Sequence, residues 1–239
     1  FSTQRQKEMW SIHSPMPIAA PAVPELAAAV PDFLGYGEGW ISSSYRGEKL
    51  VWHTGGWPGM VSRVTLVPGR RLGVVVLTSQ ESGAAFNAVT LQVLDAWLRP
   101  GQRTDWIGAY TAAADKAKIK AEEAWAKRVA ARDARARPSL PLERYARTYR
   151  DAWYGDIEVE HAGGKLLMRF GHSPLLVGEL QHWQHDTFLV KWRDRTLNGD
   201  AFVTFALDPD GNVREARMEA ASDLTDFSFD FQDLVLKPI

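Results

Sequence analysis

Residues 52–59 read Trp-His-Thr-Gly-Gly-Trp-Pro-Gly and lie at the centre of a β-rich stretch. A strand pair is predicted before them, because Arg46 and Gly47 form a turn signal between two runs of β-forming residues. Two further β-rich runs follow at 64–67 and 72–77, with a Pro-Gly turn signal between them. The stretch is therefore expected to lie in an antiparallel sheet of three or four strands.

A single amphipathic helix is expected to follow this sheet. Ser82 has the side chain of a helix N-cap, and the apolar residues after it recur at spacings of three and four, the period of one helical face. Those residues are Phe86, Val89, Val93, Leu94 and Trp97. Upstream, Ser14–Pro31 is rich in proline and small residues, which predicts a mostly extended surface loop. Residues 1–100 therefore have an α+β pattern.

The remaining chain changes its periodicity twice. Residues 101–138 are rich in alanine, lysine, glutamate and arginine, which predicts a long helix or helix pair that links two domains. Residues 139–239 alternate between apolar and polar, and turn pairs such as Gly163-Gly164 and Asp210-Gly211 separate the short runs. Seven or eight strands in about 100 residues predict an all-β, lipocalin-like antiparallel barrel.

The last part of the predicted barrel is rich in aromatic residues. Phe227, Phe229 and Phe231 alternate, which predicts a late strand with three rings on one face. Aromatic rings in a barrel either fill its interior or line a ligand pocket, and filling is the commoner arrangement. One interpretation of the chain is therefore a ligand-binding module built on the barrel. Another is a purely structural role in which barrel and linker assemble subunits.

The overall composition is that of an ordinary folded protein. The 239 residues carry 28 basic and 29 acidic side chains, and 45% are apolar, which excludes a disordered chain. The chain has no excess of basic residues, so its composition does not indicate nucleic acid as a partner. No apolar run approaches the roughly 20 residues that cross a bilayer as a helix, so no membrane span is expected. Cysteine is absent, which excludes disulfides, thiolate nucleophiles and cysteine-based zinc sites.

Two segments superficially suggest a metal site. Asp208–Asn212 mimics a calcium loop, but its glycine is at the fourth position rather than the sixth, and strands are expected on both sides. A hairpin turn is the better interpretation. His182 and His185 lie beside Asp186, but on a strand their spacing directs them to opposite faces. We therefore expect no metal and no cofactor.

In its context, His53-Thr54-Gly55-Gly56 resembles the C-terminal part of serine β-lactamases and penicillin-binding proteins, especially class C-like esterases and peptidases. A Tyr-Gly-x-Gly-Trp strand precedes it at 36–40, and Ser62-Arg63-Val64, a hydrophobic strand and a long helix follow it. Residues 140–239 also resemble the β-domain of unknown function that is often appended to these hydrolases. The matching segments there are Tyr149–Tyr154, Gly163-Gly164 and Leu180–Trp183 with Asp186–Phe188.

The resemblance implies three parts. These are the C-terminal part of a β-lactamase-like catalytic domain at 1–100, a helical linker at 101–138 and an accessory barrel at 139–239. It also implies an enzyme, a serine hydrolase that cleaves amide or ester bonds through an acyl-serine intermediate. Its substrate would be a small molecule or a peptide. Export to the periplasm or the exterior is implied as well, and self-association into a homo-oligomer is a further expectation.

The resemblance also assigns roles to particular residues. His53 would lie near the nucleophile, and the backbone amide of Gly56 would face the developing oxyanion. Thr54, Gly55 and Trp57 would contact the substrate, and the glycines would let its backbone approach the strand closely. Histidine changes charge near neutral pH, whereas the lysine of some relatives stays positive. We therefore expect this form to favour esters or peptide-like amides over anionic β-lactams.

The nucleophile and its base are expected outside these residues. The family acylates the serine of Ser-x-x-Lys with help from the tyrosine of Tyr-x-Asn, and neither motif occurs in the sequence. Both motifs precede the His-Thr-Gly triad in the family, so an N-terminal half of the catalytic domain is expected to be missing. Because an activated nucleophile needs its base within hydrogen-bond reach, residues 1–239 alone are expected to be inactive.

Overall fold

The computed structural model describes residues 2–57, 59–226 and 228–239. The chain divides into two compact units, Phe1–Ala117 and Lys118–Ile239, which we call the front unit and the barrel unit. The finer division at 100 and 138 stays a prediction. Within the described ranges, no helix combines the length and the apolar character that a membrane crossing requires.

The front unit is built on a six-stranded antiparallel sheet in which each strand pairs with the next along the chain. Its strands are β1 (Ser14–Pro15), β2 (Leu34–Tyr36), β3 (Ile41–Tyr45), β4 (Glu48–Trp57), β5 (Met60–Val67) and β6 (Leu72–Thr78). The hairpin expected at Arg46 and Gly47 is confirmed. These residues have φ of 55° and 82°, as the two-residue turn that matches strand twist requires. The expected count of three or four strands is too low, because β1 and β2 are too short to show alternation.

Three α-helices are described: α1 (Thr3–Met9), α2 (Gly83–Leu98) and α3 (Trp106–Ala131). The expected cap of α2 is confirmed, since Ser82 Oγ accepts a hydrogen bond from the Ala85 amide. Phe86, Leu91 and Leu94 of α2 are buried in one core cluster with residues of the sheet. The long helix expected between 101 and 138 is α3. Helix α1 was not expected, because it has no buried residue and therefore no apolar period.

The barrel unit contains a closed barrel of eight antiparallel strands. They are β7 (Arg147–Asp151), β8 (Gly155–Ala162), β9 (Lys165–Phe170), β10 (Val177–Gln184), β11 (Thr187–Trp192), β12 (Ala201–Leu207), β13 (Val213–Ala220) and β14 (Val235–Pro238). Each strand pairs with the next along the chain, and β14 pairs with β7 to close the ring. The expected all-β antiparallel barrel is confirmed, including the hairpin turn at Gly163-Gly164 between β8 and β9.

The described side chains fill the barrel as a core. Tyr145, Tyr149, Phe188 and Trp192 are all at most 1% exposed and belong to one cluster. The polar ends of these rings are satisfied, as buried Tyr and Trp require. The Tyr149 hydroxyl donates to the Tyr145 carbonyl oxygen at 2.7 Å, and Trp192 Nε1 donates to the Gly199 carbonyl oxygen at 2.6 Å.

The prediction of a late strand that carries three phenylalanines is wrong. Phe227 lies outside the described residues. Phe229 lies in a loop, and Phe231 begins a single 3-10 turn that precedes β14. The rings of Phe229 and Phe231 stack with centroids 5.4 Å apart, and Phe231 also stacks on Trp192 at 6.2 Å. The alternating phenylalanines therefore reflect rings of a loop that pack on the core, and not a strand paired within the sheet.

Candidate functional site

Strand β4 continues past Ile41, the first residue of β3, so the last part of β4 has no partner on that side among the described residues. On one side, Ile41–Tyr45 of β3 pair only as far as Trp52. On the other side, β5 pairs with β4 as far as Trp57. His53–Trp57 therefore have a strand partner on one side only among the described residues, and we call them the open edge. All five residues singled out from the sequence lie on it.

The peptide groups of Thr54 and Gly56 face outward from the open edge. Hydrogen-bonded and non-hydrogen-bonded pairs alternate along an antiparallel ladder, and a two-residue hairpin turn closes on a hydrogen-bonded pair, here Tyr45 and Glu48. Every second residue from Glu48 along β4 directs its N–H and C=O groups at β3, and Trp52 is the last of these residues that has a partner there. The register continues without a shift, so Thr54 and Gly56 point to the same side, where β3 has ended.

Two hydrogen bonds orient the imidazole of His53. Its Nδ1 lies 2.6 Å from the Thr54 carbonyl oxygen, which only accepts, so Nδ1 carries the proton. Nε2 lies 3.1 Å from the Tyr36 hydroxyl, which can donate to it when the ring carries its proton on Nδ1 alone. The two rings meet edge to face with centroids 5.9 Å apart. These contacts fix both the tautomer and the ring plane. The role of Tyr36 was not expected, because 17 residues separate it from His53.

The glycines of the open edge leave space in front of the strand. Gly55, Gly56 and Trp57 are exposed, whereas His53 and Thr54 are half-buried. A Cβ placed on Gly56 would meet only Val61 Cγ1 at 3.8 Å, an ordinary contact. Packing within the sheet therefore does not require glycine at this position. The missing side chain instead lets another group approach the outward amide.

The open edge supplies a hydrogen-bond donor and an oriented imidazole but not an activated nucleophile. Ser62 lies opposite Gly55 on β5 and donates its hydroxyl to the Gly55 carbonyl oxygen at 3.4 Å. Across the described ranges, no serine hydroxyl is hydrogen-bonded to His53. A nucleophile paired with its base is thus not formed by these residues.

The segments that suggested a metal have other geometries. Asp208–Asn212 form the expected hairpin turn, in which Asp208 Oδ1 accepts from the Asp210 and Asn212 amides at 3.0 and 2.8 Å. The expectation that His182 and His185 alternate on a strand is wrong. Strand β10 ends at Gln184, and His185 has a φ of 47° in the turn that follows. In the portions of the chain that the structure describes, no three His, Asp or Glu side chains are grouped to hold a metal.

The barrel unit has a cleft of about 690 Å³ beside α3. Leu189 and Lys191 line it, and they alternate with the core residues Phe188 and Val190 along β11, so the cleft lies outside the barrel. Trp125 of α3 contributes an aromatic wall. Its rim carries charges of both signs, and two of them are already paired: Arg195 donates two hydrogen bonds to Asp200 at 2.7 and 2.9 Å.

Comparison with protein families gives one match. Residues 131–238 match the model of a family described as a domain of unknown function, DUF3471. The matched range contains all eight barrel strands, in agreement with the β-domain expected at 140–239. No curated protein matches the chain.

Among solved structures, three weak likenesses are reported. The C-terminal domain of penicillin binding protein Rv0907 is 22% identical, with 46% of this chain and 94% of that chain covered and a TM-score of 0.34. The octameric penicillin-binding protein homologue from Pyrococcus abyssi is 16% identical over 98% of this chain and 42% of its own, with a TM-score of 0.36. SurE is 14% identical over 100% of this chain and 42% of its own, with a TM-score of 0.34.

The chain therefore spans about two fifths of the length of the last two proteins. TM-scores below 0.5 do not establish a shared overall fold. The comparisons thus show the barrel of residues 131–238 to be similar to a domain whose function is not known.

Proposed function

We propose that the front unit is the C-terminal part of a β-lactamase-like serine hydrolase that cleaves amide or ester bonds. The observation that carries this proposal is the open edge, where the Gly56 amide faces outward on the same strand as the oriented imidazole of His53. Backbone amides aimed at a developing oxyanion are a main source of rate enhancement in acyl transfer. The sequence resemblance of 52–59 to the His-Thr-Gly strand supports the same assignment.

The reaction would proceed in two steps, acylation of a serine and hydrolysis of the acyl-serine. A serine hydroxyl attacks the carbonyl carbon of the substrate while its base takes the proton, and the carbonyl oxygen becomes an oxyanion that accepts from the Gly56 amide. Collapse of this intermediate breaks the bond to the amine or alcohol, which leaves with the proton. Water then attacks the acyl-serine and releases the acid. Thr54 would donate its hydroxyl to the substrate, and Trp57 would cover its apolar part.

The uncovered surface of the front sheet supports a further part of the catalytic domain. Trp57, Met60, Val75 and Leu77 are 72, 54, 65 and 76% exposed, and the strand register puts them on one face. Strand β6 also has a partner on one side only among the described strands. Exposed apolar faces and open hydrophobic edges are normally covered in native proteins. We propose that a segment preceding Phe1 in the same polypeptide covers Met60, Val75, Leu77 and the unpaired side of β6, and carries the nucleophile and base.

Acylation tests this proposal directly. The 239-residue chain is expected to show no burst with p-nitrophenyl acetate and no mass increase with a penicillin. The same chain extended through its natural upstream coding sequence is expected to show a burst of one product per chain and the mass of one acyl group. A burst from the shorter chain, or no acylation of the extended one, would contradict the proposal.

Substrate preference at the open edge is expected to depend on the charge of residue 53. His53→Lys should raise kcat/KM for a carboxylated β-lactam about tenfold relative to a neutral ester, because a permanent cation strengthens the hydrogen bond to a carboxylate. The measurement is the ratio of the two kcat/KM values in the extended enzyme. His161→Lys, at an exposed position of the barrel unit, is the matched control. An unchanged ratio for His53→Lys would refute the expectation.

A ligand-binding or assembly module is the second candidate function. It is favoured by the cleft beside α3, whose volume of about 690 Å³ lies within the rough range of 300–1,000 Å³ for small-molecule sites. An upstream coding sequence without Ser-x-x-Lys would favour this candidate over the hydrolase.

Export to the periplasm or exterior is part of the hydrolase proposal, and fractionation of cells would test it. Homo-oligomer formation stays a prediction that the molecular mass in solution would check.

A further inference from the structure

The cleft beside α3 belongs entirely to the barrel unit and lies outside its filled core. One wall is a single face of α3, whose lining residues are spaced by three and four along the helix. They are Lys118, Ala121, Glu122 and Trp125. The facing wall comes from β11 and from the connections that follow β11 and β13. The volume of about 690 Å³ leaves room for a ligand of about ten carbons.

Aromatic packing and an ion pair hold the two walls of the cleft in place. The Trp125 ring stacks on Phe202 with centroids 6.3 Å apart and contacts the Trp183 ring at 5.4 Å. On the same helix, Arg128 Nη2 donates to Glu219 Oε1 at 2.7 Å. The cleft is therefore already formed without a ligand, which lowers the entropy cost of binding one.

The surface inside the cleft is mainly apolar. Trp125 is 38% exposed and Leu224 is 54% exposed, and both side chains line the concavity. Leu189 is buried and forms part of the floor, and Ala121 and Ala221 contribute small side chains that keep the cleft open. Exposed apolar area in a concave site favours an apolar ligand, because binding removes that area from water.

Among the described residues that line the cleft, five carry a charge, and four of these are paired. Arg195 donates two hydrogen bonds to Asp200 at 2.7 and 2.9 Å. Lys118 Nζ lies 3.9 Å from Glu122 Oε1 on the next turn of α3. The fifth charge is that of Lys191 on β11. Because the two pairs cancel, the lining has a net charge of one positive unit.

Lys191 has no ion-pair partner within the described ranges. Glu179 lies opposite it on β10, but the Glu179 carboxylate pairs with Lys165 at 2.8 Å. The Lys191 side chain is exposed, so an anion can reach its ammonium group. An ammonium group next to an apolar wall favours a ligand with an apolar body and one anionic end.

We propose that this cleft binds an aliphatic monocarboxylate of about eight to twelve carbons. The carboxylate accepts a hydrogen bond from the Lys191 ammonium group, and the chain lies along Trp125 and Leu224. Burial of the chain provides most of the affinity, and Lys191 selects the sign of the charge. This inference rests on the second candidate function, ligand binding by the barrel unit, and is independent of the hydrolase proposal.

Titration of the whole chain with decanoate and with decylammonium tests the ligand class. The two probes have similar chains and differ in the sign of their charge. The indole N–H resonance of Trp125, identified with Trp125→Phe, follows occupancy of the cleft by NMR. Decanoate is expected to saturate this shift with a Kd of about 0.1 mM, and decylammonium is expected to bind about fivefold more weakly.

Failure of this inference and failure of the underlying function give different results. If decylammonium binds as tightly as decanoate, the cleft binds apolar ligands but the charge assignment is wrong. If neither probe shifts the Trp125 resonance in a saturable way, the ligand-binding function fails as well. Phosphatidylglycerol vesicles that shift this resonance at a lower concentration than decanoate would assign the cleft to a membrane surface and overturn the proposal.

Two variants test the residues of the cleft. Lys191→Met is expected to weaken decanoate binding about threefold to fivefold, and Lys237→Met, at an exposed position of the same barrel, is its control. Ala121→Phe fills the cleft and is expected to weaken decanoate binding at least about tenfold. Ala124→Phe, at an exposed position of α3 outside the lining, should have no effect. Equal losses in a variant and its control, or unchanged binding in Ala121→Phe, contradict the assignment.

Discussion

Gly56→Pro is expected to lower kcat/KM of the N-terminally extended enzyme at least about 100-fold while the front sheet stays folded. Proline has no amide hydrogen, so the substitution removes the proposed oxyanion donor, and its ring also fixes φ at about −65°. Because the N–H group of Gly56 faces outward from the open edge, no bond to β5 is lost. The measurement is kcat/KM for a neutral ester, with the thermal midpoint recorded on the same sample.

Gly55→Pro is the matched control for this prediction. The N–H group of Gly55 faces Ser62 on β5, and a Cβ at Gly55 would also lie 3.0 Å from Ser62 Oγ. This variant is therefore expected to lose stability, whereas Gly56→Ala keeps the amide and should keep the fold. Full activity of Gly56→Pro would exclude the oxyanion role. Equal stability of the two proline variants would show that the assignment of inward and outward amides is wrong.

Asp95→Ala is expected to lower the free energy of unfolding of the front unit by about 3–5 kcal/mol. The Asp95 carboxylate is buried and accepts from the Tyr45 hydroxyl at 2.6 Å and from Trp106 Nε1 at 2.8 Å. It also accepts from two nitrogens of the Arg46 guanidinium at 3.3 Å. Alanine would leave the Tyr45 hydroxyl and Trp106 Nε1 buried without this acceptor. Chemical denaturation followed by circular dichroism measures the effect.

Asp115→Ala removes an exposed carboxylate from α3 and is expected to change stability by no more than about 0.5 kcal/mol. A similar loss in both variants would contradict the buried network.

Acid provides a second test of the Asp95 network. Burial alone raises the pKa of Asp95, but hydrogen bonds from Tyr45, Trp106 and Arg46 lower it below its ordinary value. Its stabilising contribution is therefore complete above the unfolded-state pKa of about 3.9 and lost as the pH falls further. Asp95→Asn should lack this acid-dependent loss.

Local turn chemistry made much of the fold predictable from the sequence. Arg46-Gly47 and Gly163-Gly164 are confirmed hairpin turns, because two adjacent residues with positive φ determine such a turn without help from distant contacts. The alternating runs that they connect follow from the same local signals. The strand expected at Phe229 and Phe231 failed because stacked rings in a loop gave the same alternation.

The geometry of the open edge was only partly predictable. The sequence placed His53 and Gly56 on a strand, but where β3 ends, and therefore which amides remain open, depends on pairing between separate segments. The same limit applies to Arg63. Its guanidinium carbon lies 4.1 Å from the centre of the Trp52 ring, and this contact depends on the register between β4 and β5.

Closure of the barrel has a kinetic consequence. The ring is completed by β14 and β7, and the Asp151 carboxylate ties the two strands together by accepting from the Val235 amide at 2.8 Å across 84 residues. The other barrel ladders join strands that are consecutive along the chain, and the longest of their connections is residues 221–234 between β13 and β14. Because the entropy cost of bringing two segments together grows with the length of chain between them, we expect the hairpins to form before this seam. A barrel whose seam is still open would expose two unpaired strands, and we expect newly made copies to aggregate through them.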